Sequence, residues 1–169
     1  LDRVCWYGIR IAYGCILFDR LFLRKVDQDE RVKRIVWGLQ NSDGNFKHLD
    51  LTHLNLNHLD LSYCSFVSSD LSGSSLCGAN LSNSNLKRTQ FLDVDLENVT
   101  LNGACIEDWN INSFTKLDGV VCEYVYLKAN KQERRPREGS FKPGEFAALF
   151  QQAVDTVDLI FKDGIDWPG

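Results

Sequence analysis

From Phe46 to Ile111 the chain reads FKHLD LTHLN LNHLD LSYCS FVSSD LSGSS LCGAN LSNSN LKRTQ FLDVD LENVT LNGAC IEDWN I. Each block of five opens on a large apolar residue: Phe46, Leu51, Leu56, Leu61, Phe66, Leu71, Leu76, Leu81, Leu86, Phe91, Leu96, Leu101, Ile106 and then Ile111. Two positions before most of them stands a compact residue, as at Cys64, Ser69, Ser74, Ala79, Ser84, Thr89, Val94, Val99 and Ala104. One position before is often Asp or Asn. A period of five fits neither a helix at 3.6 nor a strand at 2. A helix would smear the leucines around its circumference, and a strand would send successive ones to opposite faces. A chain that turns a corner every five residues aims all of them at one axis. Four corners close a coil of about twenty residues, and coils stack at the ~4.8 Å spacing of a sheet. Backbone N–H and C=O groups then pair from coil to coil, and Asn, Asp, Ser and Gly supply the corners.

Aligned at twenty, Phe46, Phe66, Leu86 and Ile106 form one interior column. Leu51, Leu71, Phe91 and Ile111 form the next, followed by Leu56, Leu76 and Leu96, and by Leu61, Leu81 and Leu101. These columns predict a hydrocarbon interior with no internal active site. Past Ile111 the pattern resumes one residue late, at Leu117, Cys122 and Leu127, so one inserted residue should bulge a corner. With these three the stretch makes a little over four coils, about 20 Å tall.

The blocks Gly78-Ala79-Asn80-Leu81-Ser82 and Ser69-Asp70-Leu71-Ser72-Gly73 are the nearest local matches to the pattern A(D/N)LXX, and the stretch resembles the pentapeptide-repeat family. The resemblance covers half the chain. It implies an all-β solenoid, a right-handed quadrilateral β-helix of about four coils with helical caps. Residues 104–110 and 157–167 look similar to cyanobacterial members, in which further sequence often follows. With no Met and an opening Leu1, the chain reads as a piece of a longer protein.

Working outward, residues 1–43 read as an N-terminal cap region. Residues 4–23 are apolar and aromatic, but Arg10, Asp19 and Arg20 argue against a membrane span. Asp27 with Glu30 suggests a helix start, and Val32, Ile35, Val36 and Leu39 share one face of a helix over 28–41. Leu49, Leu54 and Leu59 stand where later blocks are compact, and should seat that helix. Residues 44–128 are the repeat, 129–142 a basic linker, and 143–169 a capping helix and tail. Phe146, Leu149, Phe150, Ala153, Val157, Ile160 and Phe161 recur at helical spacing. They predict a helix folded over the last coil, near Trp109, Val120 and Val125.

Formal net charge is −4, unevenly spread. Residues 46–127 hold 10 acidic and 4 basic groups, while 128–169 hold 7 of each. The six cysteines form no CxxC pair and no metal-like cluster, which fits a reducing, cytoplasmic setting. His48, His53 and His58 are five apart and fall on different corners, so they do not converge on a metal. No nucleophile elbow, HExxH or phosphate-binding glycine loop occurs. Neither catalysis nor a cofactor is expected.

Function is then expected on the outside. Outward apolar residues Tyr63, Val67, Leu92, Tyr124 and Tyr126 mark a candidate surface for a protein partner. The reading is a non-catalytic interaction scaffold, with no direct nucleic-acid contact. A second reading follows from the resemblance. Some family members mimic DNA and bind DNA gyrase, and here Asp93, Asp95, Glu97, Glu107 and Asp108 would form the acidic surface.

Overall fold

The computed structural model describes residues 29–41 and 43–163, with residue 40 and residues 155–163 described by their backbone alone. The apolar segment 4–23, Cys5 and Cys15 lie outside the described residues.

The organising feature is a set of parallel bridges between residues twenty apart. Asn45 bridges Ser65, Ser65 bridges Asn85, and Asn85 bridges Cys105. A second row runs from Asp50 through Asp70 to Gln90. There β1 (Gln90–Phe91) pairs in parallel with β2 (Asn110–Ile111). Further rows join Asn55, Ser75 and Asp95, and Asp60, Asn80 and Thr100. We call each twenty-residue return a lap. Above the third lap the separation becomes twenty-one: Asp95 bridges Lys116, Thr100 bridges Val121, and Cys105 bridges Tyr126. The inserted residue falls in the turn Asn112–Thr115, where the Thr115 N–H donates to the Asn112 carbonyl.

Two local devices repeat with the laps. The Asp or Asn before each apolar residue accepts, through Oδ1, the N–H two residues on. Asp70 takes Ser72 at 2.9 Å, Asn80 takes Ser82 at 3.0 Å and Asp95 takes Glu97 at 3.0 Å. From Phe46 to Ile106 the second residue after each apolar one has positive φ: +57° at His48, +60° at Tyr63, +56° at Asp93. Asn and Asp tolerate that region, and glycine enters it freely. Gly73 has a second reason to be glycine, because a Cβ there would lie 2.4 Å from His53 Nδ1, one lap below.

Inside, every member of the series from Phe46 to Leu101 is at most 2% exposed. Ile106 and Leu117 are buried too, while Ile111 and Leu127, near the end of the stack, are half-buried. The interior is not purely hydrocarbon as the columns suggested. Ser69, Ser74, Ser84, Thr89 and Thr115 are buried in the compact slots. Their hydroxyls are satisfied by backbone: Ser74 Oγ donates to the Leu51 carbonyl (2.7 Å) and Thr89 Oγ1 to that of Phe66 (2.8 Å), each a lap below.

Helix α1 (Glu30–Gln40) begins two residues later than the sequence suggested. Asp29, not Asp27, is the N-cap, and its carboxylate accepts the Arg31 N–H at 2.8 Å. Val32, Ile35 and Leu39 are buried in one cluster with Phe46, Leu54 and Leu59. Gly38 permits the close approach, since a Cβ there would lie 2.8 Å from the Phe46 ring and 2.7 Å from the Asp43 carbonyl oxygen. At the other end β3 (Val125–Lys128) turns back into antiparallel β4 (Gln132–Arg135), so a strand occupies part of the segment read as linker. Helix α2 (Glu145–Asp163) follows. Phe146 is buried, and Phe146 and Phe150 meet Trp109 at ring separations of 6.3 and 5.5 Å. Trp109 fills a slot that is compact elsewhere, and packs edge-on to Phe91 at 5.7 Å.

Candidate functional site

The inward residues are committed to packing, so any site lies on the outward rows. Of the five outward apolar residues, Tyr63 stands out from the surface at 73% exposure, while Val67 and Leu92 are half-covered. Tyr124 and Tyr126 meet edge-to-face, 5.8 Å between centroids. The Arg134 guanidinium lies 4.5 Å over the Tyr124 ring. The structure therefore brings Tyr124 and Tyr126 together. Leu92 sits beside Phe91, in a different bridge row from Tyr126, and the five do not form one patch.

The acidic residues are largely answered by cations on a neighbouring lap. Lys87 Nζ lies 2.8 Å from Glu107, and Arg88 Nε lies 3.8 Å from Asp108. Lys116 Nζ lies 3.9 Å from Asp95 and 3.5 Å from Glu97. Asp93 accepts from Asn112 Nδ2 at 2.8 Å. Glu107 also accepts the Ala129 N–H at 2.7 Å, tying the hairpin turn to the lap beneath. The Lys87 hydrogen bond, then the Ala129 N–H, holds the Glu107 carboxyl below its ordinary range. The sequence carried this signal: Lys87 and Arg88 stand twenty residues before Glu107 and Asp108. Reading the charges lap by lap would have found them.

Chemistry elsewhere is sparse. Among the described residues no three His, Cys, Asp or Glu side chains are placed to hold a metal ion. His53 and His58 lie beneath Gly73 and Gly78 of the next lap, on successive corners. Cys64 and Cys122 are buried, and Cys77 and Cys105 are half-buried. Burial, then the charge of Glu123, pushes the Cys122 thiol up to about 12. Burial also raises that of Cys105. No described helix is long and apolar enough to cross a membrane. Two exposed aromatics escaped the sequence reading: Trp37 on α1, and Phe114 on the inserted turn, 74% exposed. Insertion into a strict repeat was the available signal for Phe114.

A sequence profile described as pentapeptide repeats (8 copies) matches residues 42–76 and 64–103. No curated protein sequence matches the chain. Solved structures similar to it include HetL, a pentapeptide-repeat protein involved in heterocyst differentiation regulation in the cyanobacterium Nostoc sp. strain PCC 7120. HetL is 24% identical over 50% of this chain, with a TM-score of 0.44. This chain spans about a third (36%) of HetL's length. A second pentapeptide-repeat protein of Nostoc PCC 7120 is 25% identical over 52% of this chain and 68% of its own, with a TM-score of 0.38. QnrB1, a plasmid-mediated fluoroquinolone resistance protein, is 13% identical over 74% of this chain and 75% of its own, with a TM-score of 0.31. Residues 42–103 of this chain thus carry pentapeptide repeats, and parallel bridges about twenty residues apart wind them as a stacked coil.

Proposed function

We propose that this protein is a non-catalytic scaffold: a four-cornered rod of about four coils whose outer surface docks a protein partner. In this reading α1 closes the first coil and α2 the last, which shields apolar interior and unpaired backbone at both ends. The observation that carries it is the register of the bridges. Outward side chains twenty apart are held at one pitch by backbone hydrogen bonds, so the surface loses little entropy when a partner lands on it. Tyr63 is the leading anchor, followed by Leu92 and Val67, with Tyr124 and Tyr126 as a packed aromatic pair. Cytoplasmic placement suits half-exposed thiols such as Cys77 and Cys105.

Cross-linking capture from native lysate tests the surface, with Tyr63→Ser and Leu92→Ser assayed separately because they lie in different rows. Loss of one specific captured protein in either variant supports the reading. Retention of every captured protein in both refutes the surface. The gyrase-decoy alternative is weakened by the pairing of Asp95, Glu97, Glu107 and Asp108 with Lys and Arg. A decoy for DNA needs phosphate-like charges left unneutralised. A supercoiling assay decides it, with no inhibition of gyrase expected.

A further inference from the structure

Lys87, Arg88 and Lys116 of the repeat face carboxylates one lap away, but the arginines of the hairpin do not. Arg134, Arg135 and Arg137 stand in none of the ion pairs among the described residues. The guanidinium groups of Arg134 and Arg135 are nevertheless held in place. Arg134 donates through Nη1 to the Pro136 carbonyl and through Nη2 to that of Gly139 (2.8 Å), with its flat face on Tyr124. Arg135 Nη1 donates to the Arg134 carbonyl at 3.1 Å. Carbonyl partners orient a guanidinium without neutralising it. Together with Glu133 these three arginines line a surface hollow of about 520 Å³. Among the described residues, one edge of β4 also pairs with no further strand.

We propose that this hollow is a docking site for an acidic peptide segment, laid along β4 with its carboxylates on Arg135 and Arg137. The inference rests on the scaffold reading and names the partner's chemistry. Planar guanidinium forks match carboxylates two bonds at a time, and a free strand edge supplies backbone pairing. Nucleic acid fits less well. Its backbone is a continuous polyanion, whereas residues 46–127, beside the hairpin, hold 10 acidic against 4 basic groups. A short peptide touches only the hollow. A second copy of β4 would set arginine against arginine.

The test uses the full chain and a fluorescein-labelled Glu/Ser peptide, read by anisotropy at low salt. The matching Lys/Ser peptide, single-stranded DNA and phosphatidylserine vesicles are the comparisons. Saturable binding of the Glu/Ser peptide alone is expected, weakened strongly near 1 M salt, where the Debye length falls to about 3 Å. Arg135→Glu with Arg137→Glu should weaken it about tenfold or more, with the urea midpoint unchanged. Arg137→Glu alone, at an exposed position, covers the case in which the double variant unfolds. Absence of saturable binding overturns the inference, as does an unaffected Arg137→Glu variant. DNA or vesicles binding as tightly as the peptide would overturn it too. If the peptide fails while Tyr63→Ser still loses a captured protein, only the hairpin inference falls and the scaffold reading stands.

Discussion

Ser74 and Ser84 offer a test of how laps are fastened together. Both are buried serines in the compact slot, 2% and 1% exposed. Ser74 Oγ is inserted into the lap below: it donates to the Leu51 carbonyl (2.7 Å) and accepts the Leu54 N–H (2.9 Å). Ser84 Oγ bonds within its own block, to the Leu81 carbonyl (2.6 Å), which already accepts the Ser84 N–H at 3.1 Å. Ser84→Ala therefore strands no backbone group and should cost about 0.5–1 kcal/mol. Ser74→Ala removes two bonds at once. If the backbone could not move, two buried groups would stay unpaired, at about 1–3 kcal/mol each. The structure shows the escape route. Below Ala79, where no hydroxyl is available, the Leu59 N–H bonds straight to the Leu56 carbonyl at 3.4 Å. Leu54 can close onto Leu51 in the same way. The expected cost of Ser74→Ala is then about 1–2 kcal/mol, near one net hydrogen bond more than Ser84→Ala. That is a fall in Tm of about 2–8 °C for a chain this size. Urea melts followed by circular dichroism give the difference, and the m-value reports whether the transition stays cooperative. A cost above about 3 kcal/mol would mean that the backbone cannot relax as it does beneath Ala79. Equal costs for the two variants would show that the inserted hydroxyl fastens nothing.

Three further outcomes are expected. Gly38→Ala should destabilise by about 1–3 kcal/mol, although Ala is the better helix former by about 1 kcal/mol. The new Cβ would meet the Asp43 carbonyl and the Phe46 ring; a stabilised variant in urea melts would show that α1 does not seat there. Glu107 has its carboxyl lowered by Lys87, so its contribution is present above its unfolded range and is lost as pH falls through the folded value. Glu107→Gln should therefore flatten the acid limb of the stability–pH curve, and an unchanged limb would count against the Lys87–Glu107 pair. At pH 8 a thiol titrating at about 12 is almost wholly protonated, so Cys122 should resist maleimide until the chain unfolds. Mass mapping of the labelled peptides checks this, and modification of Cys122 ahead of Cys105 would refute its burial.

The sequence by itself determined the winding. A large apolar residue at every fifth position, a turn-former before it and a residue tolerant of positive φ after it each play a role settled within one block. Thirteen consecutive blocks open on the large apolar residue without interruption, from Phe46 to Ile106. Even the inserted residue after Ile111 was legible, because it breaks that register. The helical spacing of Phe146, Leu149 and Phe150 was legible for the same local reason. What only the tertiary structure decided are relations across laps and between elements. Ser74 and Ser84 look alike in sequence, yet one hydroxyl reaches down a lap and the other does not. The acids that seemed to form a free anionic face are paired with Lys87, Arg88 and Lys116. Arg134 leaves a run that read as a solvated linker and lies on Tyr124, because β4 folds back on β3. Periodicity records which way each side chain points. Its contacts depend on what the next lap or the returning strand places beside it, and that is settled only when the chain closes on itself.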